Sequence, residues 1–359
     1  EVAKQEAWTR AGAWKSVREA EKKGRPKTAI EHLEPIIEDA KAKKDYPEAI
    51  KAIGLKIAFE GRIQGNKAEE QVTRMQSEIA EAPEPMKPVM NAILARWYWH
   101  YFQQNRWRIM QRTERPGAEG GDLETWSLAR VLDEIDRQFT VALSAGDQLK
   151  KIPIGRYDAL LDKGTVPDSH RPTLFDFLAY DALEFYSAGE QAGARAQDAF
   201  DLMADSPIFG AAKEFAAWKP ETTDEASPTL KAIALYQELL RFHADDPDKS
   251  AFLEADLSRL EFGYNKAFGE DKADRYKAAL KRFTDEWADH RISARGLHAW
   301  ARVLQSENEL VKAHELATRG KNAFPGSFGG NMCHNLVQEI EAESVSVHTE
   351  RVWNKPLPT

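Results

Sequence analysis

The chain has a single cysteine, Cys333, in 359 residues. A lone thiol excludes an internal disulfide and any cysteine-rich zinc site, and it leaves the compartment open. Long apolar runs are missing as well. Nothing approaches the roughly 18 residues of a membrane span, and the densest stretch, Ala92 to Tyr101, is broken by Arg96 and His100. A basic excess is also absent: 58 Asp and Glu outnumber 50 Lys and Arg, for a formal net charge of -8. Nucleic-acid binding needs a basic face that displaces counterions from phosphates, so the overall balance opposes it. The strongest local exception is Asn105-Arg-Trp-Arg-Ile-Met-Gln-Arg112, although Arg and Trp at a helix end more commonly shield packing. Residue 1 is Glu, and no charged-then-apolar leader stands before it. The expectation is a chain processed or excised from something longer.

What is present is helical pattern, almost end to end. Hydrophobic residues make up 42% and aromatics 10%, ample for a buried core. A helical solenoid escapes the usual size limit because each hairpin packs only on its neighbours. Val2 to Lys23 reads as a charged helix closed by Gly24, and Pro26 opens the next. Ala29, Ile30, Leu33, Ile36, Ile37 and Ala40 then keep helical spacing. Further helices are expected at 48–59, 67–80, 85–104, 123–145, 173–187, 193–204, 208–218, 228–243 and 247–264, then at 271–288, 293–307, 309–324 and 329–342. Residues 146–172 carry Pro153, Gly155, Gly164, Pro167 and Pro172, which predicts short helices and an irregular connection. A division between two halves is expected near 189–227.

The last stretch changes period. Val345, Val347 and Thr349 alternate onto one face, a strand pattern. A lone strand after a helical array has no partner for its backbone groups. The fold class expected is therefore all-α, a tetratricopeptide-like α-solenoid of antiparallel hairpins over 1–343, with one orphan β-strand in 344–359 belonging to a following β-domain.

The repeat reading rests on small residues where helices cross. In a 34-residue tetratricopeptide unit, placing Pro325 at position 32 puts Ala301 at 8, Ala313 at 20 and Gly320 at 27, with Leu304 at the large apolar position 11. Trp300 and Ala317 depart from the usual residues. Ala29 and Ala49 look like crossing residues of the same kind, at irregular spacing, so the array is degenerate.

Motifs that carry chemistry are scarce. His314-Glu315 is not followed by a second histidine one turn later. His290 and His298 lie two turns apart, but two ligands do not close a metal site. Asp245-Asp-Pro-Asp248 lacks the glycine and closing Glu of a calcium loop, and reads better as Asp246 capping a helix that Pro247 opens. Pro325-Gly-Ser-Phe-Gly-Gly-Asn331 could cradle an anion with its amides, but it has no Lys-Ser/Thr pair, and a helix-to-helix turn is favoured. Cys333 and His334 diverge by about 100° around a helix and form no dyad. No catalytic residue, cofactor or metal is expected. The aromatic residues Trp97, Trp99, Tyr101 and Trp107 are the candidate interaction surface, weighed against packing of hairpins sandwiched between neighbours, which is favoured.

Four segments carry a family resemblance. They are Gly24-Arg-Pro-Lys-Thr-Ala-Ile-Glu-His-Leu-Glu-Pro-Ile-Ile-Glu-Asp-Ala-Lys41, and Arg171-Pro-Thr-Leu-Phe-Asp-Phe-Leu-Ala-Tyr-Asp-Ala-Leu-Glu-Phe-Tyr186. The third is Leu235-Tyr-Gln-Glu-Leu-Leu-Arg-Phe-His-Ala-Asp-Asp-Pro-Asp-Lys249 with Leu257-Ser-Arg-Leu-Glu-Phe262. The fourth is Phe324-Pro-Gly-Ser-Phe-Gly-Gly-Asn-Met-Cys-His-Asn-Leu336, leading into Ile340-Glu-Ala-Glu-Ser-Val-Ser-Val-His-Thr-Glu350. In this order they resemble the helical N-terminal region of large bacterial alpha-2-macroglobulin-like proteins, over nearly the whole chain. The resemblance implies a periplasmic or secreted protein, often membrane-anchored. It also implies downstream β-sandwich domains that bear a protease bait region and, in some members, a thioester. This sequence has no Cys-Leu/Gly-Glu-Gln thioester motif, so no inhibitory residue carries over.

The function expected is a non-catalytic scaffold or protein-interaction module, whose partner is the parent's own macroglobulin domains or another protein. Two rivals remain. One is a free-standing ligand-binding adaptor or carbohydrate-binding lipoprotein. The other is an enzyme in which 146–172 forms a lid over Asp168 and His170.

Overall fold

In the computed structural model, residues 8–111, 123–188 and 199–342 are described. They are all-helical, with no strand among the described residues and two isolated β-bridges, Pro153 to Thr173 and Met203 to Phe268. The expected terminal strand at 344–359 lies outside the described residues. The chain divides into two compact units, residues 1–268 and 269–359.

The first unit runs α1 (Arg10–Lys22), α2 (Pro26–Ala42), α3 (Tyr46–Gln64), α4 (Ala68–Glu81), α5 (Lys87–Met110), α6 (Leu128–Leu143), the single turn α7 (Gly146–Leu149), α8 (Leu174–Ser187), α9 (Ala212–Ala217), α10 (Pro228–His243) and α11 (Ser250–Lys266). Neighbours in sequence are neighbours in space: α1 packs on α2, α2 on α3, α3 on α4, and so on through α5 and α6. The short α7 and α9 lie beside the series, which continues with α6 on α8, α8 on α10 and α10 on α11. Local chemistry sets the boundaries. Thr9 accepts from the Gly12 amide to start α1, and Gly24, at φ 64°, takes the left-handed position after it. Pro26 then opens α2, and its missing N–H is one that no helix start can use. Where α2 meets α3, Ala29 and Ala49 are fully buried, small enough for the helices to approach.

The second unit has α12 (Lys272–Glu286), α13 (Ser293–Ser306), α14 (Leu310–Ala323) and α15 (Phe328–Glu341). Helix α13 packs against α12, α14 and α15, and α14 packs against α15. Ala301, Ala313, Ala317, Leu304, Leu336 and Val337 form its apolar centre. A side chain on Gly320 would sit 2.5 Å from Cys333 Sγ, so the small residue is required by the close approach of α14 and α15.

Several expected elements differ. Helix was expected over 193–204; residues 189–198 lie outside the described set, and 199–204 are not helical. There the Phe268 amide donates to Leu202 O and the Ala204 amide to Phe268 O, both at 2.8 Å, so these backbone groups are satisfied by a distant segment instead of by a helix. Pro207 also drives Ser206 into extended backbone (ψ 168°). The expected helix over 208–218 is broken at Gly210 into a 3-10 turn, Pro207–Phe209, and the short α9. Asp246 does not cap α11. That helix begins at Ser250, whose amide donates to Asp248 Oδ1 at 2.9 Å, and Asp246 is engaged elsewhere.

Candidate functional site

The irregular segment 146–172 is tied down at both ends. The Ile154 amide donates to Pro172 O, and the Leu174 amide to Ile152 O, each at 2.9 Å. This delivers residues 168–170, a single 3-10 turn, against α11. Asp168 and His170 then part company. Asp168 stays at the surface and binds Lys163 Nζ at 2.7 Å, which also holds Asp158 at 2.6 Å. His170 is buried, its Nδ1 3.1 Å from Glu254 Oε2 of α11. Arg171 follows Glu254 as well, Nη2 to Oε1 at 3.6 Å, and lies 3.9 Å over the Tyr180 ring. Burial, reinforced by the Glu254 charge, pushes the Tyr180 phenol well above its ordinary pKa. The crevice between Lys163, Asp168, Arg171 and Phe177 measures about 20 Å3, room for about one water molecule.

A second ionic cluster sits at the end of α10. His243 Nε2 meets Asp176 Oδ1, and Nδ1 meets Asp246 Oδ2, both at 2.7 Å. A carboxylate facing each ring nitrogen favours the doubly protonated ring. Burial pulls its pKa down, but the two carboxylates outweigh that and hold it above the ordinary histidine value. Asp176 has further duties: it accepts from the Thr173 amide at 2.8 Å and from Thr173 Oγ1 at 2.7 Å, closing a capping box on α8. One carboxylate therefore starts α8 and anchors α10.

The third cluster centres on Arg259, whose side chain is 0% exposed. It donates to Ile208 O, to Gly210 O at 2.7 Å, and to Asp256 Oδ1 from Nε at 2.9 Å, and it lies 5.0 Å over the Phe215 ring. A buried guanidinium tolerates this site because its fixed fork of donors is met by carbonyls and a carboxylate. Sequence reading missed all three clusters. The local signals were the His243 to Asp246 and Asp256 to Arg259 spacings; Asp176, Glu254 and Ile208 come from remote parts of the chain.

The four aromatic residues proposed as a surface do not share one. Trp99 and Tyr101 are buried and Trp97 is half-buried, whereas Trp107 is 80% exposed. Trp99 meets Phe185 of α8 edge-on at 5.1 Å. Helix α5 has neighbours on more than one side, so its rings are spent on packing. Trp107 projects beyond the kink at Asn105 (φ -112°, ψ 16°). Near it, Arg108 contacts Tyr101 Oη at 3.4 Å.

In the second unit, Ser327 caps α15 by accepting from the Gly330 amide at 3.0 Å, so the glycine-rich run is a helix-to-helix turn. A Cβ on Gly329 would stand 2.6 Å from the Arg295 amide nitrogen. Cys333 is buried and donates to Ala294 O at 3.1 Å, and burial pushes its thiol up to about 12. Such a thiol is unreactive. His290 Nδ1 accepts from the Ile292 amide at 3.2 Å, and His298 lies within α13. Among the described residues no group of three or more His, Cys, Asp or Glu is placed to hold a metal, and no helix is long and apolar enough to cross a membrane. An opening in this unit lies between α12 and α14, about 460 Å3, lined by Trp300, Leu304 and Leu316 and by Lys277, Lys281 and Lys312.

No protein-family model matches the chain, and no curated protein matches it.

Proposed function

We propose that the chain is a non-catalytic helical scaffold, a tetratricopeptide-like stack that forms the N-terminal region of a bacterial alpha-2-macroglobulin-like protein in the periplasm or outside the cell. The observation that carries the scaffold reading is the serial packing of successive helices within each unit. Small residues sit at the crossings, and the buried ions His243, Glu254 and Arg259 are matched to partners that fix the elements. In such stacks each element needs its neighbours for burial, and the faces left over serve as binding surface. The family part rests on the four ordered segments that resemble that family.

Two measurements test it separately. The reading frame downstream of Thr359 should encode β-sandwich domains; a gene without them ends the family reading. Cross-linking mass spectrometry on the full-length product should join lysines of this chain to those domains or to a partner protein. Cross-links confined within the helical region would end the scaffold reading. The alternative, a ligand-binding adaptor or carbohydrate-binding lipoprotein, keeps one supporting observation: the exposed Trp107 ring beside the exposed Met110. Oligosaccharide binding lost in Trp107→Ala would favour it.

A further inference from the structure

Helices α12 and α14 both lean on α13, and the space between them is an open groove of about 460 Å3. Its floor is apolar, made by Trp300 and Leu304 of α13 and Leu316 of α14. Its banks are basic: Lys281 stands on α12 and Lys312 on α14, with Glu315 the acidic residue in the lining. We propose that this groove is a docking slot for an acidic amphipathic segment of a partner protein, an inference that rests on the scaffold reading.

The lysines are placed to receive such a segment, not to cover the floor. Lys281 and Lys312 side chains are 62% and 64% exposed, so their stems do not lie down over Trp300 and Leu304. Each is paired with a nearby carboxylate, Lys281 with Asp285 of α12 at 2.5 Å and Lys312 with Glu309, just before α14, at 3.0 Å. Solvated pairs of this kind hold side chains weakly and are readily exchanged. Lys277 behaves differently. Its side chain is 22% exposed and bonded to Glu307 at 2.8 Å, so it forms part of the wall.

The occupant's chemistry follows from this lining. An apolar floor takes apolar side chains, and a helix that presents them every third or fourth residue suits a groove between two helices. Carboxylates flanking those side chains reach the two banks. The protein as a whole carries a formal charge of -8, whereas three lysines and one glutamate line this groove. Charge complementarity of this kind sets register and excludes other partners. Val311, exposed beside Lys312, extends the apolar surface along α14.

The test uses the whole chain and a fluorescein-labelled synthetic peptide with leucines at helical spacing and glutamates between them. A second peptide has lysines in place of the glutamates. Fluorescence anisotropy should show binding of the acidic peptide and none of the basic one. Binding should weaken at least tenfold in Lys281→Glu/Lys312→Glu, and with added salt. Both lysines are exposed, so the double variant should melt with the wild type by circular dichroism. Leu316→Ser, on the floor, should weaken binding without changing its salt dependence. Absence of binding by the acidic peptide, equal binding of both peptides, or equal binding by the charge-reversed variant overturns the proposal. So does a wild-type dimer that the double variant abolishes, since a second copy would then fill the groove. If the peptide fails while downstream domains still cross-link elsewhere on the chain, the groove falls and the scaffold reading stands.

Discussion

His243 Nε2 lies 2.7 Å from Asp176 Oδ1, and each side chain keeps 1% of its surface exposed. With Asp246 on the other nitrogen, the ring ties the start of α8 to the end of α10 and to the turn before α11. Its two carboxylates hold its pKa above the ordinary value against the opposing effect of burial. A histidine whose folded pKa exceeds its unfolded value, about 6.5, binds its proton more tightly in the folded chain. Its contribution is then complete below about pH 6.5 and is lost as pH rises through the folded pKa. Thermal melts of wild type and His243→Gln at several pH values should therefore converge as pH rises. A gap that widens toward alkaline pH would show that the ring is held neutral.

His298 has the opposite sign. Burial, helped by Arg302 and Arg295, lowers its pKa to about 4, with Glu339 opposing. The unfolded chain takes up this proton near pH 6.5, before the folded chain does. Stability is therefore lost as pH falls from about 6.5 toward the folded value. His298→Gln should flatten this acid limb. Urea melts at about pH 7 and pH 5 would check it, and an unchanged pH dependence would sink the idea.

These two histidines also mark where sequence ceased to inform. The crossing residues Ala301, Ala313 and Gly320 were legible because sterics at a close approach depend on side-chain size alone. The helix starts at Pro26 and Pro228 were legible for a similar local reason. Asp246 was misread because Asp-Pro is a local capping signal, whereas its carboxylate is taken by His243, a partner that needs the α10 to α11 turn to form. Residues 199–204 and 208–210 were misread because Phe268 and Arg259 claim their backbone groups from roughly 50 to 65 residues along the chain. The Trp99 and Tyr101 rings could not be assigned to core or surface until the neighbours of α5 were known.

Arg259 is the next test, since its guanidinium answers Ile208 O, Gly210 O and Asp256 together. Arg259→Met removes those donors and leaves the Asp256 carboxylate without its buried counter-ion. Breaking one side of a buried ion pair costs about 3–5 kcal/mol. Urea denaturation should show a loss of that order. The double variant Arg259→Met/Asp256→Asn should lose less than the sum of the two single variants, because the uncompensated charge is gone. Strict additivity would mean that the pair does not act as a unit.

Two glycines, both within helices, should respond to alanine in opposite directions. At Gly329 a Cβ would meet the Arg295 amide nitrogen at 2.6 Å and Ala294 C at 3.0 Å. These are backbone atoms of α13 that cannot turn aside as a side chain would. Alanine there forces α15 away from α13, at about 1–3 kcal/mol by the usual cost of overpacking. At Gly54, inside α3, a Cβ meets nothing within 4 Å. Alanine there restricts the unfolded chain and should stabilise the protein by about 0.5–1 kcal/mol. Melting temperatures of Gly329→Ala and Gly54→Ala, each against wild type, separate the two cases. Equal shifts for both would mean that α15 does not rest on α13 as closely as the contact at Arg295 requires, and the packing of the second unit would have to be redrawn from that crossing outward.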